Sequence, residues 1–339
     1  MVKIVVDCFG GDRSPGANID GALLALSSAS DLRLILTGDE QTIKDALSGR
    51  DYDADRIEIL HAPEIIDCHD KPTDAVRLKR ESSMMKGIRL LREDDTVRGL
   101  VSTGSTGALV AASLLRIGRI PGVIRPAFCP VLPDLHGGIV GICDSGANVD
   151  ITPDHLFQYA VMGSVYLSET MGVEKPRVGL LNVGAEAEKG DDLRKRTYPL
   201  LSESQDINFV GNAEGRDVFS GDFDLIVCDG FSGNVLIKSV EGTSLSLLKR
   251  LKNDIGSKLR YKLGALLMKQ MFLDEKELMN YQNYGGSVML GTSKTVVKGH
   301  GSSNARAVKE CIMQAYRMEN ASVNEKIESI LGKAEQTNA

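Results

Sequence analysis

The sequence predicts an α/β protein with a largely parallel sheet flanked by helices in three layers, and three observations predict it. Short apolar runs of strand type alternate with helix-length stretches along most of the chain, the pattern of crossover units on a parallel sheet. Several of those runs pass directly into glycine with Asp, Asn or Ser, after Cys8, Val101, Cys143, Val183, Val210 and Cys228; ligands of α/β proteins bind at such carboxyl ends of strands. The composition, 42% hydrophobic and 25% charged over 339 residues, is that of an ordinary globular chain. No internal repeat or low-complexity linker divides it, so residues 1–339 read as a single α/β domain.

Val2–Cys8 is a continuous apolar strand, with Asp7 near its end and Gly10-Gly11-Asp12 beyond. Ile19–Leu26 reads as a helix, Leu32–Leu36 as a strand, Glu40–Leu47 as a helix and Arg56–Leu60 as a strand. Thr73–Leu91 predicts one long helix with a basic face. Val97–Val101 is a strand, followed by Ser102-Thr103-Gly104-Ser105-Thr106-Gly107 and a helix from Ala108. Ile117–Pro133 is punctuated by Pro and Gly. Gly138–Asp144 is a strand that turns out through Ser145–Asp150, and Pro153, in the favourable first-turn position, opens a helix to about Met171. Strands follow at Arg177–Val183, Asn208–Gly211 and Asp224–Cys228. The last leads into Asp229-Gly230-Phe231-Ser232-Gly233-Asn234 and a helix through Lys238 and Glu241.

The loop at 102–107 is the most suggestive stretch. A strand, a glycine–hydroxyl loop and a helix start present backbone N–H groups and a positive dipole end to an anion. Gly104, Ser105, Thr106 and Gly107 are therefore candidate phosphate-binding residues, with Ser105 as an ordinary helix N-cap the alternative. The loop is neither a Walker loop, having no Lys after the second Gly, nor a dinucleotide fingerprint.

Several classes are excluded. A net charge of −6 gives no global signature of nucleic-acid binding. No apolar run reaches the length of a membrane span, and Met1–Phe9 reads into a strand rather than a signal peptide. The six cysteines lack C-x-x-C spacing, which suits reduced thiols in a cytoplasm. His61 and His69 have no Cys or carboxylate partner at metal spacing, so no metal is expected. There is no G-x-S-x-G elbow and no Ser-His-Asp motif. Cys143 and Cys228 read as small buried hydrophobes. A cleft of backbone N–H groups, Asn, Lys and hydroxyls, without a covalent nucleophile, suits electrostatic transfer chemistry on an anionic reactant.

The stretches STGSTGA (102–108), DSGANVD (144–150), GLLNVGAEAEKG (179–190), FVGNAEGRD (209–217), CDGFSGNVLIKSVEG (228–242) and KGHGSSNA (298–305), with FGGD near the start, resemble the bacterial phosphate acyltransferase family over nearly the whole chain and in the family's order. Two departures stand within the likeness: Ser105 occupies a position usually held by Asn, and Ser293-Lys294 lies near a usual Asn-Gly pair. The resemblance implies transfer of a long-chain fatty acyl group from an acyl carrier protein thioester to inorganic phosphate, giving acyl phosphate for phospholipid synthesis. It also implies a fold shared with isocitrate and isopropylmalate dehydrogenases and phosphotransacetylases, a homodimer, no cofactor, and a downstream membrane acyltransferase. The alternatives are a metal-dependent hydroxy-acid dehydrogenase on the same fold and phosphotransacetylase-like transfer from acyl-CoA. Lys189, Asn234 and His300 are the expected catalytic residues, for anion binding and for stabilising the oxyanion or leaving group. Asp7, Asn148, Asn212 and Asp229, at strand ends, are expected to bind substrate.

Strand–helix alternation stops over 248–283. Between 249 and 270 seven Lys and Arg face one acid, Asp254. At 100° per residue Lys258, Lys262 and Lys269 share a stripe beside an apolar sector containing Leu266 and Leu267. A basic stripe beside an apolar face suits an anionic membrane surface or an acidic partner; packing of the Leu face on a second subunit is the alternative. Gly256 and Gly264 argue against one unbroken helix, and a helical hairpin is expected. The expected location is cytoplasmic, peripherally bound to the inner face of the membrane, with Ala265–Leu273 as an exposed apolar tip.

Overall fold

The structure is a computed structural model and describes residues 1–278 and 281–337. Elements run in the order β1 (Val2–Asp7), α1 (Gly16–Leu26), β2 (Leu32–Gly38), α2 (Glu40–Leu47), β3 (Ile57–His61), α3 (Pro72–Leu78), α4 (Ser83–Glu93), β4 (Val97–Ser102) and α5 (Thr106–Ala112). Then come β5 (Ala127–Cys129), β6 (Val131–Pro133), β7 (Ile139–Cys143), α6 (Pro153–Met171), β8 (Arg177–Leu181), α7 (Asp192–Glu203), β9 (Asn208–Ala213) and β10 (Leu225–Val227). The remainder comprises α8 (Gly230–Ser257), α9 (Leu259–Leu267), α10 (Lys269–Leu278), β11 (Ser287–Leu290), β12 (Thr295–Lys298), α11 (Ala305–Asn320) and α12 (Val323–Thr337).

The strands divide between two sheets. One has the order β3-β2-β1-β4-β12-β11-β5 and the other β6-β7-β10-β8-β9. Pairing is parallel except at β11, antiparallel to β12 and β5, and at β6, antiparallel to β7. Parallel strands buried on both faces read as unbroken apolar runs, and β1 and β2 do so, each with only one residue short of full burial. The sheets meet at Ala127–Pro133, where β5 joins one and β6 the other with Pro130 between them. The helix α6 is buried among them, with Tyr159 and Tyr166 fully enclosed, and the Tyr166 hydroxyl accepts a 2.5 Å hydrogen bond from Gln314 of α11. One apolar cluster runs from Val2 and Ile4 through α6 to Val178 and Leu225, so both sheets share a core.

Four differences from the sequence reading have physical reasons. The helix expected over Thr73–Leu91 is two, because the Ser82 hydroxyl accepts from the Met85 N–H and starts a fresh helix after Lys79 leaves helical geometry. The segment Ile117–Pro133, read only as punctuated loop, contains β5 and β6. Two strands were not foreseen beyond residue 241, and β12 lies in the middle of the larger sheet. The expected lysine stripe presumed one continuous helix, yet Lys258 is extended (φ −136°, ψ 142°) and divides α8 from α9, while Met268 divides α9 from α10. Lys258, Lys262 and Lys269 thus fall at a break, inside α9 and at the start of α10. Gly256 lies just before the first break, whereas Gly264 stays inside α9. Of the 248–283 stretch, Met279 and Asn280 lie outside the described residues.

Candidate active site

A cleft opens where the carboxyl ends of the two sheets face each other. It is lined by Thr106 at the start of α5, Phe128 and Val131 of the linking strands, Ser145 after β7, Asn234 and Lys238 of α8, and Lys298, Gly299 and His300 at the end of β12. Its volume is about 180 Å³.

The glycine loop after β4 is one wall. Ser105 Oγ accepts from the Ala108 N–H at 3.4 Å and caps α5. The Gly104 N–H donates to Ser102 Oγ at 3.1 Å. The first N–H groups of a helix, here those of Thr106 and Gly107, have no intrahelical acceptor, so these two positions present free donors while Gly104 and Ser105 shape the turn. Gly10 permits the close approach of the first loop, since a side-chain carbon there would lie 2.5 Å from the Gly104 nitrogen.

The opposite wall is built by a buried carboxylate. Asp144 accepts from the N–H groups of Phe128 (3.0 Å), Gly146 (3.2 Å), Ala147 (3.1 Å) and Asn148 (2.7 Å) and from the Asn148 side chain (3.1 Å). Burial pushes its pKa up, against those hydrogen bonds. Asn148 also donates to the Pro126 carbonyl at 2.7 Å, so its amide nitrogen is committed to the fold. Asp229 is equally occupied: it caps α8 by accepting from the Ser232 N–H at 2.8 Å, and it also accepts from the Ser232 hydroxyl and from Arg194. Burial alone would raise its pKa, but the Ser232 and Arg194 contacts outweigh it and hold the carboxyl below its usual range. Asn212 donates to the Glu186 carbonyl at 2.8 Å and anchors the loop after β8, leaving its buried Oδ1 without a partner among the described residues.

The structure gathers Thr106, Asn234 and His300 at one cleft. Lys189 stands elsewhere, on the exposed loop after β8 and outside the cleft lining. Asp7 is buried beneath the glycine loop rather than open to a ligand. The ring nitrogen Nδ1 of His300 accepts from the Ser302 N–H at 3.2 Å, which leaves Nε2 to carry the proton of a neutral ring. Burial lowers the His300 pKa, so at neutral pH it is a neutral donor. Sequence reasoning singled out neither Lys298 nor Lys238. Lys238 is closed on Glu241 at 2.7 Å. Lys298 is buried, and burial lowers its pKa to about 8. The signal for it was present in the short strand-type stretch TVVK running into a glycine–histidine turn.

Cys143 and Cys228 are fully enclosed, and burial raises both thiols well above their ordinary range, so neither supplies a thiolate. All six cysteines are unpaired. The sequence reading gave His69 no Cys or carboxylate partner at metal spacing, whereas the structure brings ligand atoms of Asp67, Cys68 and His69 within 4.8 Å of one another on an exposed turn. Three consecutive exposed residues do not make a metal site without further donors. No helix among the described residues is long and apolar enough to cross a membrane.

A family described as fatty acid synthesis protein matches residues 2–326. A phosphate acyltransferase of Brevibacillus brevis is 45% identical over 332 residues, covering 98% of both chains. The chain belongs to this family. Phosphate acyltransferases of Clostridium perfringens, 42% identical with 98% of each chain covered, and of Bacillus subtilis, 44% identical with 94% covered, align over similar lengths. Among solved structures, a phosphotransacetylase from Streptococcus pyogenes superposes with a TM-score of 0.59 at 16% identity, covering 94% of each chain. The EutD phosphotransacetylase from Staphylococcus aureus gives 0.56 at 16% identity, covering 93% of this chain and 94% of its own. These likenesses establish the α/β fold with its helix-flanked parallel sheets. Membership of the phosphate acyltransferase family makes the chain an acyltransferase that moves an acyl group to phosphate, and the family's description places it in fatty acid synthesis.

Proposed function

We propose that this acyltransferase takes a long-chain fatty acyl group from an acyl carrier protein thioester, and that its acyl phosphate product feeds phospholipid synthesis through a membrane acyltransferase. The carrying observation is the cleft itself, where Thr106 at the start of α5 lines the same space as Asn234, Lys298 and His300. Phosphate is already nucleophilic, so the protein's task is to orient it. One phosphate oxygen attacks the thioester carbonyl carbon; the new C–O bond forms and an oxyanion develops. Collapse breaks the C–S bond, and the thiolate leaves and takes up a proton. The side-chain amide of Asn234 and the Nε2–H of His300 are the donors for the oxyanion or the leaving sulfur. The N–H groups of Thr106 and Gly107, with the Thr106 hydroxyl, hold phosphate. Lys189 enters the chemistry only if its exposed loop closes over the cleft on donor binding, and Asp7, Asn148, Asn212 and Asp229 act by fixing the loops around it.

Long-chain acyl phosphates are poorly soluble, and this frames the exposed arm of α8 to α10. Leu259, Leu263, Leu266, Leu267 and Leu273 are all exposed on it, and Leu267 is 89% exposed. Our reading is that the protein is a cytoplasmic homodimer that touches an anionic membrane surface through this tip. Lys258, Lys262 and Lys269 then serve lipid headgroups or the acidic carrier protein.

The test is release of free thiol from acyl carrier protein thioester as phosphate is varied, with acyl-CoA as a parallel donor. Thiol release that needs phosphate and favours the carrier protein is expected; release from acyl-CoA alone would leave a phosphotransacetylase-like donor preference. Removing one preorganised oxyanion donor costs ~100-fold in turnover, so Asn234→Ala should lower turnover by about that factor with little change in melting temperature. Full turnover would exclude Asn234. Thr106→Val is the cleaner probe of the phosphate side. A side-chain carbon at Gly107 would meet Pro72 at 2.6 Å, so Gly107→Ala disturbs packing as well.

A further inference from the structure

Three buried side chains stand in a row across the larger sheet. Asp7 of β1 is in register with Ser102 of β4, and Ser102 is in register with Lys298 of β12. Residues in register on parallel strands project from the same face. Asp7 is 2%, Ser102 1% and Lys298 9% exposed. The row is wired at one end. The Gly104 N–H donates to Ser102 Oγ, and the Ser102 hydroxyl donates to Asp7 at 2.7 Å. Asp7 also accepts from the Phe9 N–H at 3.3 Å and from Ser83. Burial raises the Asp7 pKa, and these donors, all of which favour the carboxylate form, oppose that rise.

At the other end Lys298 reaches the cleft. Its ammonium donates to the carbonyls of Thr103, at 3.5 Å, and Gly299. It has three protons, so one remains, and among the described residues no carboxylate forms an ion pair with it. The other lysine of the lining, Lys238, is closed on Glu241. A buried ammonium without a counter-ion is costly, and an anion seated in the cleft offsets that cost.

We propose that Lys298 is the cation that holds inorganic phosphate in the cleft, and that Asp7, through Ser102 and through its charge, is the positioning carboxylate that keeps Lys298 protonated and the glycine loop in place. This rests on the phosphate-acceptor reading above and assigns the residues that read the phosphate charge. Burial lowers the Lys298 pKa to about 8 in spite of Asp7. The groups facing it are Asp7 and Asp12 from β1 and its loop, Cys311 from α11 and Lys238 from α8, with Glu241 of α8 facing the adjacent His300. The protonated form binds, so phosphate affinity falls as pH rises through about 8. The ligand's own charge only grows with pH and cannot cause that fall.

The experiment titrates inorganic phosphate, without acyl donor, into the full chain and into Lys298→Met, Lys298→Arg and Asp7→Asn between about pH 6.5 and 9.5, with binding read by phosphorus NMR or calorimetry. Charge-assisted hydrogen bonds are about twice as strong as neutral ones, so Lys298→Met should weaken phosphate binding roughly tenfold or more and leave the KM for acyl donor unchanged. Asp7→Asn should move the alkaline fall to lower pH. In Lys298→Arg, whose guanidinium stays charged, the fall should vanish. A folded Lys298→Met that binds phosphate like the wild type overturns the proposal, as does an unshifted fall in Asp7→Asn. Should Lys298→Met fail to fold, the wild-type profile still decides, because affinity that stays level across about pH 8 overturns it too. If phosphate binds as described but no acyl phosphate forms, the functional reading fails and this one stands. If Lys298→Met makes acyl phosphate with wild-type kinetics, the reverse holds.

Discussion

Around the cleft, polar groups are gathered inward, whereas along the arm apolar groups are turned out. Asp144 alone organises four backbone N–H groups and one amide from two segments of chain, and Asp229 and Asn212 hold the neighbouring loops. Between Glu241 and Leu278 no described side chain is buried, and α8 buries only Gly230 and Gly233 near its start. Unpaired buried polar groups and exposed apolar ones are both costly. Around Asp144 and Asp229 that cost is met by internal hydrogen bonding, which fixes geometry, while Lys298 is left without an ion-pair partner among the described residues. The arm leaves its apolar groups exposed. Precision therefore belongs to the first region, and the second is where the proposed association with a surface is tested.

The sharpest way to break that contrast is at Asp144. Replacing it with Ala strands several buried donors at ~1–3 kcal/mol each, so Asp144→Ala should lower the unfolding free energy by about 3 kcal/mol or more in urea titrations. A loss under about 1 kcal/mol would show that the loop does not depend on its carboxylate. On the arm the expected change is in binding rather than folding. Leu266→Glu/Leu267→Glu should abolish co-sedimentation with anionic vesicles, which added salt also weakens, while altering stability by no more than about 0.5 kcal/mol per exposed site. A wild type that ignores such vesicles, or a double mutant that still binds them as a dimer, returns the Leu face to the subunit interface. The smallest effect separates a loop-shaping residue from a ligand. Ser105→Ala should cost ~1 kcal/mol as a lost N-cap, whereas Ser105→Asn should cost almost nothing, and neither should change the phosphate requirement. A raised phosphate requirement in Ser105→Asn would make Ser105 a ligand.

That last pair also bears on how much the sequence could say. Ser105 departs from the Asn usual in the family, and the structure gives a reason the two are interchangeable, since both cap helices equally well. The strand ends and their glycines were legible because buried parallel strands leave a plain apolar signature. Their division between two sheets was not, because an apolar run at Ile139–Cys143 does not say which strand it pairs with. The break between α3 and α4 was hidden because apolar residues continue on both sides of Lys79–Ser82. Candidate residues were legible as residue types at strand ends. Which of them face a ligand was not, because Asp229 is drawn to Arg194 and Asn148 to the Pro126 carbonyl, partners well separated along the chain. Lys298 was missed because its strand has four residues, too short for periodicity to register.

The position of β12 in the larger sheet has a consequence for how the molecule comes to exist. A strand from near the end of the chain is inserted between β4 and β11, and its contact from Lys298 to Thr103 spans 195 residues. Contacts of such sequence separation form late and slow folding, because loop closure must precede any reward. During synthesis the amino-terminal strands β1 to β4 wait with an open edge until residues 295–298 emerge, and such edges invite pairing with other chains. The same event that closes this edge delivers Lys298 to the cleft, so a ribosome-bound fragment lacking β12 has an unfinished sheet and lacks the buried lysine of the cleft.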